Sequence, residues 1–119
     1  MNNFLHNISD QEGFLIPLTI ANKLHVPIGE ISRLTGLDAA SFDSLSHIHT
    51  DSTQKRLWEL LNIINKIIPW CENIEDANIW YQNEPLSSFG KLTAMELVKQ
   101  GKAKAVIQYL ERVDKGGFS

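Results

Sequence analysis

Four groups of residues in this chain are of types that could carry chemistry. Cys71 is the only cysteine among 119 residues and stands between Trp70 and Glu72. A thiol nucleophile needs a base beside it, and no histidine is near it in sequence, so Cys71 reads as an inert structural thiol. A single cysteine also excludes an internal disulfide and any multi-cysteine zinc or iron–sulfur site. His47 and His49, two positions apart in a polar stretch, could contribute to a metal shell, but no further His or Cys cluster completes one. They read as exposed polar residues. Glu75 and Asp76 are adjacent and so project to different parts of a helix, which makes no carboxylate pair for acid–base work. A glycine loop with the spacing that cradles phosphate is missing as well. These readings predict a non-enzyme that uses no cofactor and no metal.

The fourth group is a basic C-terminal stretch. Lys91, Lys99, Lys102, Lys104, Arg112 and Lys115 face only Glu96, Glu111 and Asp114 there. The first fifty residues are the reverse, with Lys23 and Arg33 against Asp10, Glu12, Glu30, Asp38 and Asp43. A solvated helix face is the plain explanation of such a run, and docking on an acidic or anionic partner the sharper one. The whole chain carries a formal charge of −3, which argues against a strong nucleic-acid binder, although a dimer can still present a local basic patch. With 43% hydrophobic and 21% charged residues it has the composition of one soluble globular domain. No apolar run approaches the roughly 20 residues that span a bilayer, and no signal-peptide pattern opens the sequence, so a cytoplasmic protein with no membrane contact is expected.

The elements that must position these groups are all helical. Residues 1–13 read as a loosely held arm around Phe4, Leu5 and Ile8. Pro17 opens a short helix to about His25, stopped at Val26-Pro27. Ile28, Ile31 and Leu34 mark a second helix closed by Gly36. Asp38 can cap a third from Ala39 to about Leu45. Two short helices around a glycine turn read as a helix-turn-helix over residues 14–50. Asp51 or Ser52 then caps the longest helix, striped by Leu57, Leu60, Leu61, Ile64, Ile67 and Ile68 and stopped by Pro69. Trp58 and Ile63 widen that stripe, which predicts a homodimer covering the surplus apolar face. Asn73 caps a helix carrying Trp80, and Leu86 to Gly90 form a turn. Thr93 and Glu96 form a capping box, Gly101 closes its helix, and Ala103 to Val113 stripe the last one. The expectation is an all-α fold of about seven short helices, with residues 51–119 as a second helical region packed on the first.

In that second region Trp80, Pro85-Leu86, Gly90, Thr93 with Leu97, Gly101, Ala105-Val106, Leu110 and the Gly116-Gly117-Phe118 ending occur in order. This set resembles the C-terminal toxin-binding domain of the Xre/MbcA/ParS family of bacterial antitoxins, and Ile28 to Leu45 is similar to the degenerate helix-turn-helix that precedes it there. Ala94 stands where family members usually have proline. The resemblance implies an antitoxin that binds a cognate toxin, most often a RES-domain enzyme that depletes NAD, and blocks its cleft sterically. Arg112, Lys115, Gly116, Gly117, Phe118 and Ser119 would then face the toxin, with Trp80, Leu86, Gly90, Thr93, Glu96 and Gly101 in structural roles. Operator DNA, bound as the toxin complex, would be met by Arg33, Ser41, Lys55 and Arg56. The candidate recognition helix, Ala39 to Ser44, contains no cation and so is a poor reader of bases. A stand-alone helix-turn-helix regulator is the competing reading.

Overall fold

A computed structural model describes Phe4, Leu5 and residues 7–114. The fold is all-α, with α1 (Pro17–Leu24), α2 (Gly29–Thr35), α3 (Leu45–Ile48), α4 (Asp51–Ile67), α5 (Ile74–Asn83), α6 (Ala94–Lys99) and α7 (Ala103–Asp114). No helix among the described residues is long and apolar enough to cross a membrane.

Helix α4 is the axis. Its apolar residues fall at i, i+3, i+4 and i+7, so one broad stripe faces inward. Leu57, Leu60, Leu61, Ile63, Ile64 and Ile67 are all fully buried there. Helices α7, α5, α2, α3 and α6 pack against it. Its cap is Thr50, whose hydroxyl accepts from the Thr53 amide at 3.4 Å, and not Asp51 or Ser52 as the sequence suggested. Asp51 instead occupies the first turn, where a carboxylate complements the helix dipole. Pro69 ends the helix as expected, and a single 3₁₀ turn, Ile68–Trp70, leads the chain out.

Helix α1 begins at Pro17 and stops at His25, whose positive φ of 60° lets its amide reach back to the last carbonyls. Gly36 ends α2 at φ 77°, and a Cβ added there would come within 2.9 Å of Lys99 Cγ. The expected third helix does not form as one piece. Ala39–Phe42 is a 3₁₀ turn to which Asp38 contributes no side-chain cap, and the chain then extends at Ser44. Ser44 caps the four-residue α3 by accepting from the His47 amide at 3.3 Å. The reason is local: Ser44 prefers the cap to a helix interior. Leu45, 64% exposed, supplies no inward apolar residue to carry a helix through.

The N-terminal residues are also held more firmly than an arm. Phe4, Ile8 and Leu15 are buried in the same core as Leu110. Gln54 of α4 clamps Leu15, accepting from its amide at 2.8 Å and donating to its carbonyl at 2.9 Å.

Trp80 is not the core aromatic of α5. Asn73 caps this helix as expected, accepting from the Asp76 amide at 2.8 Å. That phase turns Ala77, Asn78 and Tyr81 inward and leaves Trp80 half-buried at the rim. Tyr81 is fully buried, and its hydroxyl donates to the Leu34 carbonyl at 2.7 Å, joining α5 to the last turn of α2. Burial pushes the phenol pKa far up, so it remains a donor at any physiological pH. Replacing Tyr81 by Phe strands a buried carbonyl without its partner and is expected to cost about 1–2 kcal/mol. Urea unfolding measures this directly, and an unchanged midpoint would show that the hydroxyl contributes nothing.

Candidate protein-binding surface

The loop between α5 and α6 is built from its sequence in an orderly way. Leu86 is buried, donates its amide to Leu92 O at 3.0 Å, and accepts at its carbonyl from the Lys91 amide at 2.9 Å. Gly90 at φ 65° closes the turn between them, a conformation other residues adopt only at a cost. The capping box then starts α6: Glu96 N donates to Thr93 Oγ1 at 3.2 Å, and Thr93 N donates back to Glu96 Oε1 at 2.9 Å. Gly101, at φ 80°, turns α6 into α7. Leu86, Gly90, Thr93, Glu96 and Gly101 thus shape the turn and the two ends of α6.

This loop forms one wall of a groove of about 350 Å³ whose other walls are the turn after α4 and the last turns of α7. Trp70, Trp80, Glu84, Pro85, Tyr109 and Val113 line it. Pro69 turns the chain so that Trp70 stays 45% exposed. Phe89 meets Tyr109 edge to face at 5.8 Å and holds that ring in place. The sequence placed Trp80 here as a structural residue only. What it missed was Trp70 and Tyr109, which no spacing rule connects to Trp80 because they lie on three different elements.

The residues predicted to face a toxin fall at the end of the same region. Arg112 is exposed on the last turn of α7, one residue before Val113 of the groove. Lys115, Gly116, Gly117, Phe118 and Ser119 lie outside the described residues.

The four residues predicted to meet DNA have different surroundings. The Arg33 guanidinium is held by Glu30 at 2.6 Å and donates to Gln82 Oε1 of α5 at 2.6 Å. The hydrogen bond between Arg33 and Glu30 raises the Arg33 pKa and lowers that of Glu30. Arg56 donates to the Thr35 carbonyl at 2.7 Å and pairs with Glu59 at 3.3 Å, closing the end of α2. Lys55 stands beside Trp58, and Ser41 lines a separate polar hollow with Asp38, His47 and Thr50. Two of the three cations are therefore used to hold the fold.

The groups considered for chemistry are also separated. His47 Nδ1 pairs with Asp43 and lies 3.0 Å from the Ala40 carbonyl, so it fastens the turn before α3 rather than standing free. His49 points elsewhere, stacked on Phe14 at 3.8 Å with its Nε2 4.0 Å from Asp10. Glu75 meets His25 at 2.6 Å, a hydrogen bond that lowers the Glu75 pKa. Burial, aided by the nearby Asp76, pushes the Cys71 thiol up and keeps it protonated at neutral pH. No group of three metal-ligating side chains occurs among the described residues.

The apolar surplus of α4 is mostly absorbed within the chain. Ile63, one of the two residues that suggested a dimer, is fully buried, whereas Trp58 remains 44% exposed. Comparison with protein-family models, curated proteins and solved structures finds no match to this chain.

The His47 pair gives a signed pH dependence. The hydrogen bond to Asp43, then that to Ala40 O, raises the His47 pKa above its ordinary 6.5. A raised folded-state value means the stabilising contribution is complete below 6.5 and fades as pH rises through the higher value. An NMR titration is expected to place the His47 midpoint above 6.5, with Asp43→Asn returning it toward that value. A midpoint at or below 6.5 in the parent chain would show that the pair does not form in solution.

Proposed function

We propose that this chain is an antitoxin, a protein-binding inhibitor of a cognate RES-domain toxin that depletes NAD. One observation carries the reading. Trp80, Pro85, Leu86 and Leu110, which belong to the set that resembles the toxin-binding domain, line an aromatic groove together with Trp70 and Tyr109 at the last turns of α7. Interfaces draw their affinity from a few large aromatic and arginine anchors in pockets. Trp70, Trp80 and Tyr109 supply such anchors, and Arg112 is exposed on the last turn of the same helix as Tyr109. In this mechanism the groove and the α7 surface grip the toxin, and residues 115–119 enter the approach to its NAD cleft. A cationic segment with two glycines suits a cleft that accepts an anionic dinucleotide, and Phe118 provides an apolar anchor. Inhibition is steric and asks no chemistry of the antitoxin.

Two further parts of the proposal concern assembly. The homodimer would centre on half-exposed Trp58, next to Lys55, Leu15 and Gly13. Contact with operator DNA falls to the toxin complex, in which several copies act together, since Arg33 and Arg56 are engaged within the chain.

Removing Lys115 to Ser119 is expected to leave a folded protein that no longer rescues growth of cells expressing the cognate toxin. Arg112→Glu is expected to weaken rescue without loss of circular dichroism signal. Full rescue by the folded, truncated chain would overturn the cleft-blocking mechanism.

Sedimentation tests the assembly. The parent chain is expected to be dimeric at tens of micromolar, and Trp58→Ser, an exposed substitution, to shift it toward monomer by about tenfold in dissociation constant. A parent chain that is monomeric at this concentration would remove the dimer from the proposal.

A further inference from the structure

We propose that the groove formed by Trp70, Trp80 and Tyr109 is a receptor for an arginine side chain presented by a protein partner, with Glu84 as its counter-charge. This goes beyond the antitoxin reading, because it names a chemistry of recognition that holds whatever enzyme or scaffold the partner is.

Glu84 is the charged side chain lining the groove. It is exposed, and its carboxylate has no ion pair or hydrogen bond among the described residues. Three other carboxylates of this half of the chain are engaged within it: Glu75 with His25, Glu96 with Thr93, and Glu111 with Lys66 at 3.4 Å. Trp70 and Trp80 likewise make no ring-on-ring contact among the described residues, although both border the groove. The groove therefore combines uncommitted indole rings, which carry negative faces, with one uncommitted negative charge. Both features select a cation.

The choice among occupants follows from the same groups. An anion would be repelled by Glu84. A purely apolar side chain would cover the Glu84 carboxylate without giving it a partner. A lysine ammonium offers a point charge, whereas a guanidinium is planar, stacks on an indole and gives two parallel N–H bonds to a carboxylate. The buried Leu86 and Leu110 beneath the rings suit the aliphatic stem that an arginine lays against an apolar surface. A volume of about 350 Å³ is near the lower end for ligand sites and fits one long side chain rather than a folded segment.

The test uses the full chain, ¹⁵N-labelled, with the three indole N–H resonances assigned from Trp58→Phe, Trp70→Phe and Trp80→Phe. The probes are an acetylated, amidated pentapeptide with a central arginine among glycines, the same peptide with citrulline, and the same peptide with lysine. The arginine peptide is expected to shift the Trp70 and Trp80 resonances and leave Trp58 unmoved. Citrulline, equal in shape but neutral, is expected to produce no saturable shift, and lysine to bind more weakly than arginine. Glu84→Gln, an exposed substitution that leaves the fold intact, is expected to weaken arginine binding by about threefold to tenfold. The proposal is overturned if the arginine peptide produces no saturable shift at tens of millimolar. It is equally overturned if citrulline matches arginine, if lysine binds as well, or if Glu84→Gln binds arginine undiminished.

Discussion

Six side chains of α4 are removed from water, and each such burial contributes about 1.5–3 kcal/mol relative to exposure. No other helix here could bury its own apolar stripe alone. Helix α3 has one turn, α6 fewer than two, and α1 and α2 little more, all shorter than isolated helices need in water. Helices α2, α3 and α6 pack on the apolar stripe of α4, α1 packs on α2 and α5, and their caps decide where each one stops. The N-terminal segment obeys the same constraint, since Gln54 on α4 takes both backbone groups of Leu15 and so fixes how Phe4, Ile8 and Leu15 enter the core.

That arrangement has a consequence for the far end of α4. Helices α7 and α5 both pack on it, and at its end Pro69 turns the chain out of the helix through a single 3₁₀ turn. Trp70 is carried to the surface by this turn. The paired Leu86–Leu92 loop then brings Pro85 and Glu84 beside it, and α7 contributes Tyr109 and Val113. The aromatic groove is a by-product of three elements meeting around one axis. It also sits at the last turns of α7, the helix that leads into residues 115–119, which is why recognition and inhibition are proposed at this end of the molecule.

Electrostatics divide the chain in the same way. In the front half the cations serve structure: Arg56 ties α2 to α4, and Arg33 ties α2 to α5. At the back, Lys66 pairs with Glu111 across α4 and α7, but Glu84, which lines the groove, and exposed Arg112 have no ion pair among the described residues. Charges already satisfied within a fold have little to offer a partner, since using them again would break a hydrogen bond first. Unsatisfied ones at the edge of an apolar patch give direction to binding.

Most helix boundaries were legible from local signals in the sequence, the caps at Ser44 and Thr50 being the exceptions. Pro17, Gly36, Pro69, Asn73, the Thr93–Glu96 box and Gly101 all act within four residues, and each does what its neighbours imply. The all-α class followed from them and from the 3.6-residue stripes. Tertiary structure alone decided which residues on those helices matter. Periodicity did not say whether Trp80 or Tyr81 enters the core, because the group that receives the Tyr81 hydroxyl, the Leu34 carbonyl, is 47 residues away. Nor did composition say that Arg33 and Arg56 are spent, since their partners Gln82 and Thr35 are 49 and 21 residues distant. The helix predicted at Ala39 broke in two because nothing apolar at Leu45 held it to the core. A cap is a bond between near neighbours and can be read in order, whereas a side chain's inward or outward fate is fixed by groups that only folding brings alongside it.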